Sequence, residues 1–261
     1  MRFSGFSRLL LTCIFLNSFS FLGAAGRLLE PCGFLQEKDE KPRYETRKEH
    51  DPDGIGKFYM GREIAQVMSH FGAGWLDRPE REKEENSSKL LPPLKIKPGS
   101  TVADIGAGSG YHSLRLAEIV GPKGKVLAND IQPEMLKIIR KKMKDQNVAN
   151  IEPILCTEKD PKLPANSVDL ILMVDVYHEF SYPFEVTTEL VKSLKAGGRL
   201  VFVEFRLEDA KVPIKLVHKM SEKQVIREME PHALKHVETL KHLPWQHVII
   251  FEKKAEEKKQ Q

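Results

Sequence analysis

Cysteine is scarce in this chain, and the little there is carries no pattern. Its 261 residues include 3 cysteines, too few for a disulfide scaffold, and no C-x-x-C pair begins a zinc ribbon. No segment repeats, which excludes solenoids and propellers. Neither sign of charge dominates: 41 Lys and Arg face 37 Asp and Glu, for a net +4, too mild to argue for a nucleic-acid partner. Disorder is excluded by the 41% of hydrophobic residues. What remains is a globular protein of one domain plus extras, or two small ones, long enough to bury a core without staples.

One local absence stands out. Residues 1–26 contain no acid; Arg2 and Arg8 precede an apolar run from Leu9 to Leu22, and Gly23, Ala24, Ala25 and Gly26 follow. Basic start, apolar middle and small-residue end are the parts of a secretory signal peptide, with cleavage expected after Ala25. An uncleaved membrane anchor, or a true start at Met60, are the alternatives, so the expected location is export, membrane attachment or the cytoplasm respectively. Residues 26–53, punctuated by Pro31, Pro42 and Pro52, read as a linker. Residues 54–86 read as an N-terminal helical cap. In it Ile64, Val67 and Met68 have helical spacing, predicting a helix over 60–71 that stops at Gly72-Ala73-Gly74. The run from Glu80 to Glu85 reads as a solvated helix face. A catalytic domain over 87–253 and a charged tail over 254–261 complete the division.

From residue 90 onward the pattern is regular. Strands are predicted over 101–105, 125–128, 150–155, 168–174, 199–204, 237–243 and 247–251, with helices between them. Pro133 opens one helix, and Lys141, Lys142 and Lys144 suit the negative end of its dipole. Ser221 with Gln224 forms a capping box for another. Alternating strands and helices imply an α/β fold with a mostly parallel sheet, and the tightly joined final pair must be antiparallel.

The most informative stretch is Asp104-Ile105-Gly106-Ala107-Gly108-Ser109-Gly110-Tyr111, between the first of these strands and the first helix. It fails the dinucleotide fingerprint, because Tyr111 stands where the third glycine belongs, and it fails the P-loop pattern for want of Gly-Lys-Ser/Thr. An acid two residues before the first glycine opposes a pyrophosphate and favours a cation. Asp130, ending the second strand, can accept both hydroxyls of a ribose. The two carboxylates frame a ligand with a ribose at one end and an ammonium at the other, a description S-adenosylmethionine fits.

On these residues the chain resembles the class I S-adenosylmethionine-dependent methyltransferases over about residues 85–253. Asp104 to Gly110 match the family's first motif, with Asp104, Gly106, Ala107, Gly108 and Gly110 toward the cofactor; Asp130 matches its ribose acid and Ile131 its adenine-packing residue. Asn166-Ser167-Val168-Asp169-Leu170-Ile171 and Leu194-Lys195-Ala196-Gly197-Gly198-Arg199-Leu200 resemble the approaches to the family's fourth and fifth strands. More narrowly, Asp175-Val176-Tyr177-His178-Glu179-Phe180, Leu243-Pro244-Trp245-Gln246-His247 and Gly61-Arg62-Glu63-Ile64-Ala65 resemble a bacterial branch of the family. The resemblance implies a three-layer Rossmann-like fold with a seven-stranded sheet in the order 3-2-1-4-5-7-6, strand 7 antiparallel. It also implies S-adenosylmethionine as cofactor and a small organic molecule as acceptor. Where relatives place an acid for the adenine amino group, this chain has Thr157 and Glu158, either of which could serve.

Methyl transfer needs alignment and desolvation more than a dedicated catalytic group, because the sulfonium supplies the driving force. The candidates follow the fourth strand at the switch point of the sheet: Asp175, at the strand's end and also expected to touch the cofactor; His178, a general base or a packing residue; and Glu179, equally open. Glu204, ending the fifth strand, is the second acid or else an ion-pair partner of Arg206 or Lys219. Tyr59, Arg62, Trp75, Arg78 and Arg81 are expected to cover the cofactor. His232, His236, His242 and His247 lack partner acids or cysteines at ligand spacing, so no metal is expected. Two further readings stay open. Gly108-Ser109-Gly110-Tyr111 resembles the glycine turn of isoaspartyl repair enzymes, implying protein carboxyl methylation. The signal-like N-terminus would suit an exported, non-catalytic binding module.

Overall fold

The near-continuous apolar run Val168–Val174 becomes the hub of a seven-stranded sheet. The structure, a computed structural model, describes residues 42–255. The expected signal peptide or anchor therefore lies outside the described residues, with most of the linker, two of the cysteines and most of the charged tail. The elements run β1 (Tyr44–Thr46), β2 (Gly54–Tyr59), β3 (Arg62–Ala65), α1 (Ala73–Leu76), α2 (Arg81–Glu85), β4 (Thr101–Ile105), α3 (Tyr111–Val120), β5 (Lys125–Asp130), α4 (Pro133–Asp145), β6 (Ile151–Leu155), β7 (Val168–Val174), α5 (Pro183–Ser193), β8 (Leu194–Phe205), α6 (Glu222–Met229), β9 (Leu234–Leu240) and β10 (Gln246–Lys253). No helix among the described residues is long and apolar enough to cross a membrane.

The large sheet has the order β6-β5-β4-β7-β8-β10-β9. Counted from β4, this is the expected 3-2-1-4-5-7-6. The first five strands are parallel, and β10 lies antiparallel to both β8 and β9. Alternation along each strand splits the core between the two faces. Val102, Leu170, Leu172, Val201, Val203, Val248 and Ile250 pack with Leu116 and Ala117 of α3 and Leu136 and Ile139 of α4. The intervening Ala103, Ile171, Met173, Leu200, Phe202, Ile249 and Phe251 pack with Val186, Leu190 and Val191 of α5 and Val225 and Met229 of α6. Strands buried on both faces require apolar side chains at successive positions, which explains the unbroken runs.

The N-terminal segment departs from the expected helix. Residues 44–65 form a small antiparallel sheet, β1-β2-β3, so the helix expected over 60–71 is corrected to a strand meander followed by short helical turns. Met60 and Gly61 both have positive φ, 47° and 87°, between the paired Tyr59 and Arg62. That is a two-residue primed turn, which matches the twist of a hairpin. The Glu63 carboxylate accepts the Asp51 N–H at 3.0 Å and the Gly56 N–H at 3.1 Å, fixing the chain across the hairpin. The final strand pair sits slightly earlier than expected at β9, and β8 begins at Leu194 rather than Arg199.

Candidate active site

The carboxyl ends of β4, β5, β7 and β8 open into a cavity of about 580 Å³. Open parallel sheets bind ligands at this edge, where the strand order reverses. Gly106 and Gly108 line it from the turn after β4, Asp130 and Ile131 from the end of β5, Cys156, Thr157 and Glu158 from beyond β6, and Asp175, His178 and Glu179 from beyond β7. Val67, Met68, Trp75, Leu76 and Arg81 close it from the N-terminal segment, and Phe205, Pro213, Ile214, Lys215 and His218 from β8 and the chain after it.

The glycine turn is held from both sides. Gly106, Gly108 and Gly110 all have positive φ, 64°, 53° and 79°, which glycine adopts at no steric cost. A methyl group at these positions would meet Val176 at 2.3 Å, Leu76 at 2.5 Å and Ile139 at 2.9 Å respectively. The close approach that demands glycine is thus by the protein's own side chains. Asp130 is buried, and its two oxygens accept the Gly108 N–H and the Gln132 N–H, each at 2.8 Å. Each oxygen keeps a second acceptor direction. Burial raises the Asp130 pKa against those two backbone donors. Ile131 is 37% exposed at the cavity wall.

Several sequence-predicted residues stand behind the cavity rather than in it. Asp104, Ala107, Gly110 and Glu204 do not line it. Asp104 is buried and accepts the Ser113 hydroxyl at 2.6 Å; desolvation pushes its pKa up to about 6, against the lowering by that hydroxyl. Its carboxyl faces the start of α3. Thr157 and Glu158 do line the cavity, but the Thr157 hydroxyl accepts the Asp160 N–H at 3.0 Å and so serves its own turn.

Beyond β7, Asp175 adopts a left-handed backbone, φ 49°, a conformation that costs a non-glycine residue energy and recurs at functional sites. Its Oδ2 accepts the Gln246 amide at 3.1 Å, while Oδ1 is buried without a protein partner. Burial first, then the carboxylates of Glu85 and Glu204, raise its pKa well above the carboxylate range. His178 is buried, with Nδ1 at 2.6 Å from Glu204 Oε2. Burial, the largest single influence, would lower its pKa, but the Glu204, Glu179 and Asp175 carboxylates together raise it. Glu204 also accepts the Tyr177 N–H at 3.0 Å. It therefore positions His178, and neither Arg206 nor Lys219 is its partner. Burial raises Glu179 to about 7, and its carboxylate accepts the Met68 N–H at 3.2 Å.

The covering residues differ from expectation in the charged run before the sheet. Arg81 and Glu85 are buried and paired at 2.7 Å, with Arg78 on the other oxygen of Glu85 at 2.6 Å. Arg81 lies over the Tyr111 ring and near His112. The run is two-sided: Arg81 and Glu85 are buried, with Arg81 at the wall of the site, while Glu80, Glu82 and Lys83 form a solvated face. Arg78 stacks on Trp75 at 3.6 Å. Arg62 grips Glu228 of α6 through two N–H···O contacts of 2.8 and 3.0 Å and donates to the His178 carbonyl at 3.1 Å; Tyr59 is buried beside this hairpin. Three participants are not evident from the sequence. Gln132 accepts the His70 N–H and donates to the Met68 carbonyl, tying the cap to the end of β5. Gln246 holds Asp175. His218, in a short turn between β8 and α6, places Nδ1 3.3 Å from His178 Nε2. No periodicity marks any of them; only the Trp-Gln-His motif before β10 singles out Gln246.

Residues 96–259 match a family model described as a methyltransferase domain. Curated relatives include the ubiquinone/menaquinone biosynthesis C-methyltransferases UbiE of Ectopseudomonas mendocina and Pseudomonas putida, each 32% identical over 111 residues. The match covers 42% of this chain and 43% of either relative, less than half the length of the proteins matched. Among solved structures, a SAM-dependent methyltransferase from Aquifex aeolicus superposes with a TM-score of 0.68 at 27% identity, over 72% of this chain and 100% of that one. The [4+2]-cyclase SpnF, at 12% identity and a TM-score of 0.54 over 61% of this chain and 76% of its own, shares the fold alone. With the family model spanning more than half of its length, the chain belongs to the methyltransferase-domain family, and its fold is that of the class I enzymes.

Proposed function

We propose that the protein transfers a methyl group from S-adenosylmethionine to a small organic acceptor. One observation carries this reading: Asp130 and Ile131 share a single cavity with Asp175 and His178, so a ribose-and-ring end and a reaction end lie in one enclosure. The residues suit the cofactor. Asp130 is oriented by two backbone N–H groups and retains acceptor capacity for ribose hydroxyls. Ile131 offers an exposed apolar surface for adenine, with Thr157 and Glu158 beside it. Arg81 offers a guanidinium at the cavity wall for a carboxylate, and Asp175 a carboxyl oxygen without another partner. When bound, the cofactor supplies an activated methyl group. The chain's own residues then align the acceptor, exclude water and, where the acceptor carries a proton, present the Nε2 of His178 to it, with Glu204 fixing the ring.

The acceptor side is walled by Phe180, Phe205, Pro213 and Ile214, which favours a flat apolar acceptor over a peptide. The relatives named for quinone biosynthesis make ring compounds of that class the first acceptors to screen. Isothermal titration of the full chain with S-adenosylmethionine is the direct test. Binding by wild type, weakened at least about tenfold by Asp130→Ala for loss of charge-assisted hydrogen bonds, is expected. No binding by wild type, or equal binding by the variant, would overturn the reading.

A further inference from the structure

Two imidazoles meet at the reaction end of the cavity, beside a carboxylate. His178 Nε2, Glu179 Oε1 and His218 Nδ1 all lie within 4.8 Å of one another, the one such set of His, Cys, Asp and Glu ligand atoms among the described residues. The two ring nitrogens are 3.3 Å apart, and Nε2 of His178 is 4.0 Å from Glu179 Oε1. Two nitrogens each bonded at about 2.0–2.1 Å to a tetrahedral ion stand roughly 3.3–3.4 Å from each other. Glu179 Oε1 also accepts the Met68 N–H at 3.2 Å and keeps a further acceptor direction. His232, His236, His242 and His247 take no part in it.

The surroundings complete the pattern. His178 Nδ1 lies 2.6 Å from Glu204 Oε2; in the neutral ring with its proton on Nδ1, the Nε2 lone pair faces His218. A carboxylate behind a histidine in this way fixes the tautomer and raises the ring's basicity as a ligand. Glu204 is itself wholly buried and is held by the Tyr177 N–H. Arg62, bound to the His178 carbonyl, anchors the same short turn to α6. His218 and Glu179 both line the cavity, so coordination positions beyond these three ligands face the acceptor space. Two histidines, a carboxylate and an open position are the ligand set of catalytic zinc sites.

We infer that His178, Glu179 and His218 bind one divalent transition-metal cation, zinc by ligand type, with its open position turned toward the acceptor. The binding stands independently of the methyltransferase reading. Its use, to hold an anionic oxygen of the acceptor beside the methyl donor, rests on that reading. In the loaded protein the cation occupies the His178 lone pair, and the acceptor's oxygen is held by the metal rather than by the imidazole.

The test uses the full chain, stripped with a chelator and titrated with Zn²⁺ by calorimetry and with Co²⁺ by visible absorption. One equivalent of Zn²⁺ per chain and a tetrahedral-type Co²⁺ band are expected. His218→Ala, a change at a half-buried loop residue, should lose both while keeping the melting temperature and S-adenosylmethionine binding. Glu204→Gln should weaken Zn²⁺ by about 10- to 100-fold. Absence of Zn²⁺ and Co²⁺ binding by wild type would overturn the site, as would wild-type affinity in both His218→Ala and Glu179→Gln. A wild type that binds the metal but not S-adenosylmethionine would keep the site and discard the methyltransferase reading; the reverse outcome would discard the site alone.

Discussion

Asp104 is a motif residue held by a contact within the fold. It precedes the glycine turn, yet its carboxyl is buried against Ser113 and away from the cavity. Its pKa in the folded chain is about 6, above the unfolded value of about 3.9. An acid shifted in that direction stabilises the fold least when ionised. The relative stability is full below about pH 4 and is lost as pH rises toward 6, by about 3 kcal/mol for a two-unit shift. Asp104→Asn removes the ionisation, so its stability relative to wild type should improve by that order between pH 4 and pH 7. Urea melts of both proteins without ligand at the two pH values check this; parallel curves would refute it. Residues such as Asp130, Ile131 and Asp175 are legible in the sequence because each ends a strand, and a strand end in a parallel sheet has one destination. The pairings are not legible: Ser113 for Asp104, Gln246 for Asp175 and His218 for His178 come from other elements, and even the motif that marks Gln246 does not say which residue it meets.

Elements divide in the same way. The β/α alternation from β4 to β10 is readable because strands buried on two faces must be continuously apolar. The hairpin β2–β3 is not, because its turn is Met-Gly rather than the Asn-Gly that signals a primed turn. Ile64, Val67 and Met68 mimic a helical stripe for an unrelated reason: Ile64 is buried in β3, and the other two follow the strand and turn into the cavity. Likewise, α2 hides a buried ion pair within a run whose composition matches a solvated helix. The hairpin's attachment depends on Arg62, whose guanidinium meets a Glu228 carboxylate that is 0% exposed. Removing one partner of such a pair leaves an uncompensated buried charge, and Arg62→Ala should lose about 3–5 kcal/mol of stability. Arg62→Lys should recover little, since an ammonium cannot make the two-pronged contact. Denaturant melts of the three proteins decide it; a loss under about 1 kcal/mol in Arg62→Ala, the range of an exposed pair, would show the contact to be incidental.

At the scale of the molecule, the cavity has two walls of different origin. The sheet supplies Asp130, Asp175 and His178, and the N-terminal segment supplies Met68, Trp75 and Arg81. Many contacts join them: Gln132 bonds to Met68 and His70, Lys142 to Asp77, Glu179 to Met68 and Arg62 to Glu228. A ligand that fills the cavity touches both walls and so stabilises the whole described unit rather than one strand end. Binding to the folded state alone adds RT ln(1 + [L]/Kd), about 2.7 kcal/mol at a hundredfold excess over Kd. For a chain of this size that should raise the melting temperature by roughly 5–10 °C. Wild type with excess S-adenosylmethionine should show this rise. Asp130→Ala should lose it with its unliganded melting point nearly unchanged, because the N–H groups of Gly108 and Gln132 lose their partner only at a cavity-facing turn, where water can take its place. Gln132→Ala is the informative third case. It leaves Asp130, Ile131 and Asp175 in place and cuts one tie to the cap, so the rise should shrink without vanishing. A full rise in Gln132→Ala would mean that this tie plays no part in ligand binding.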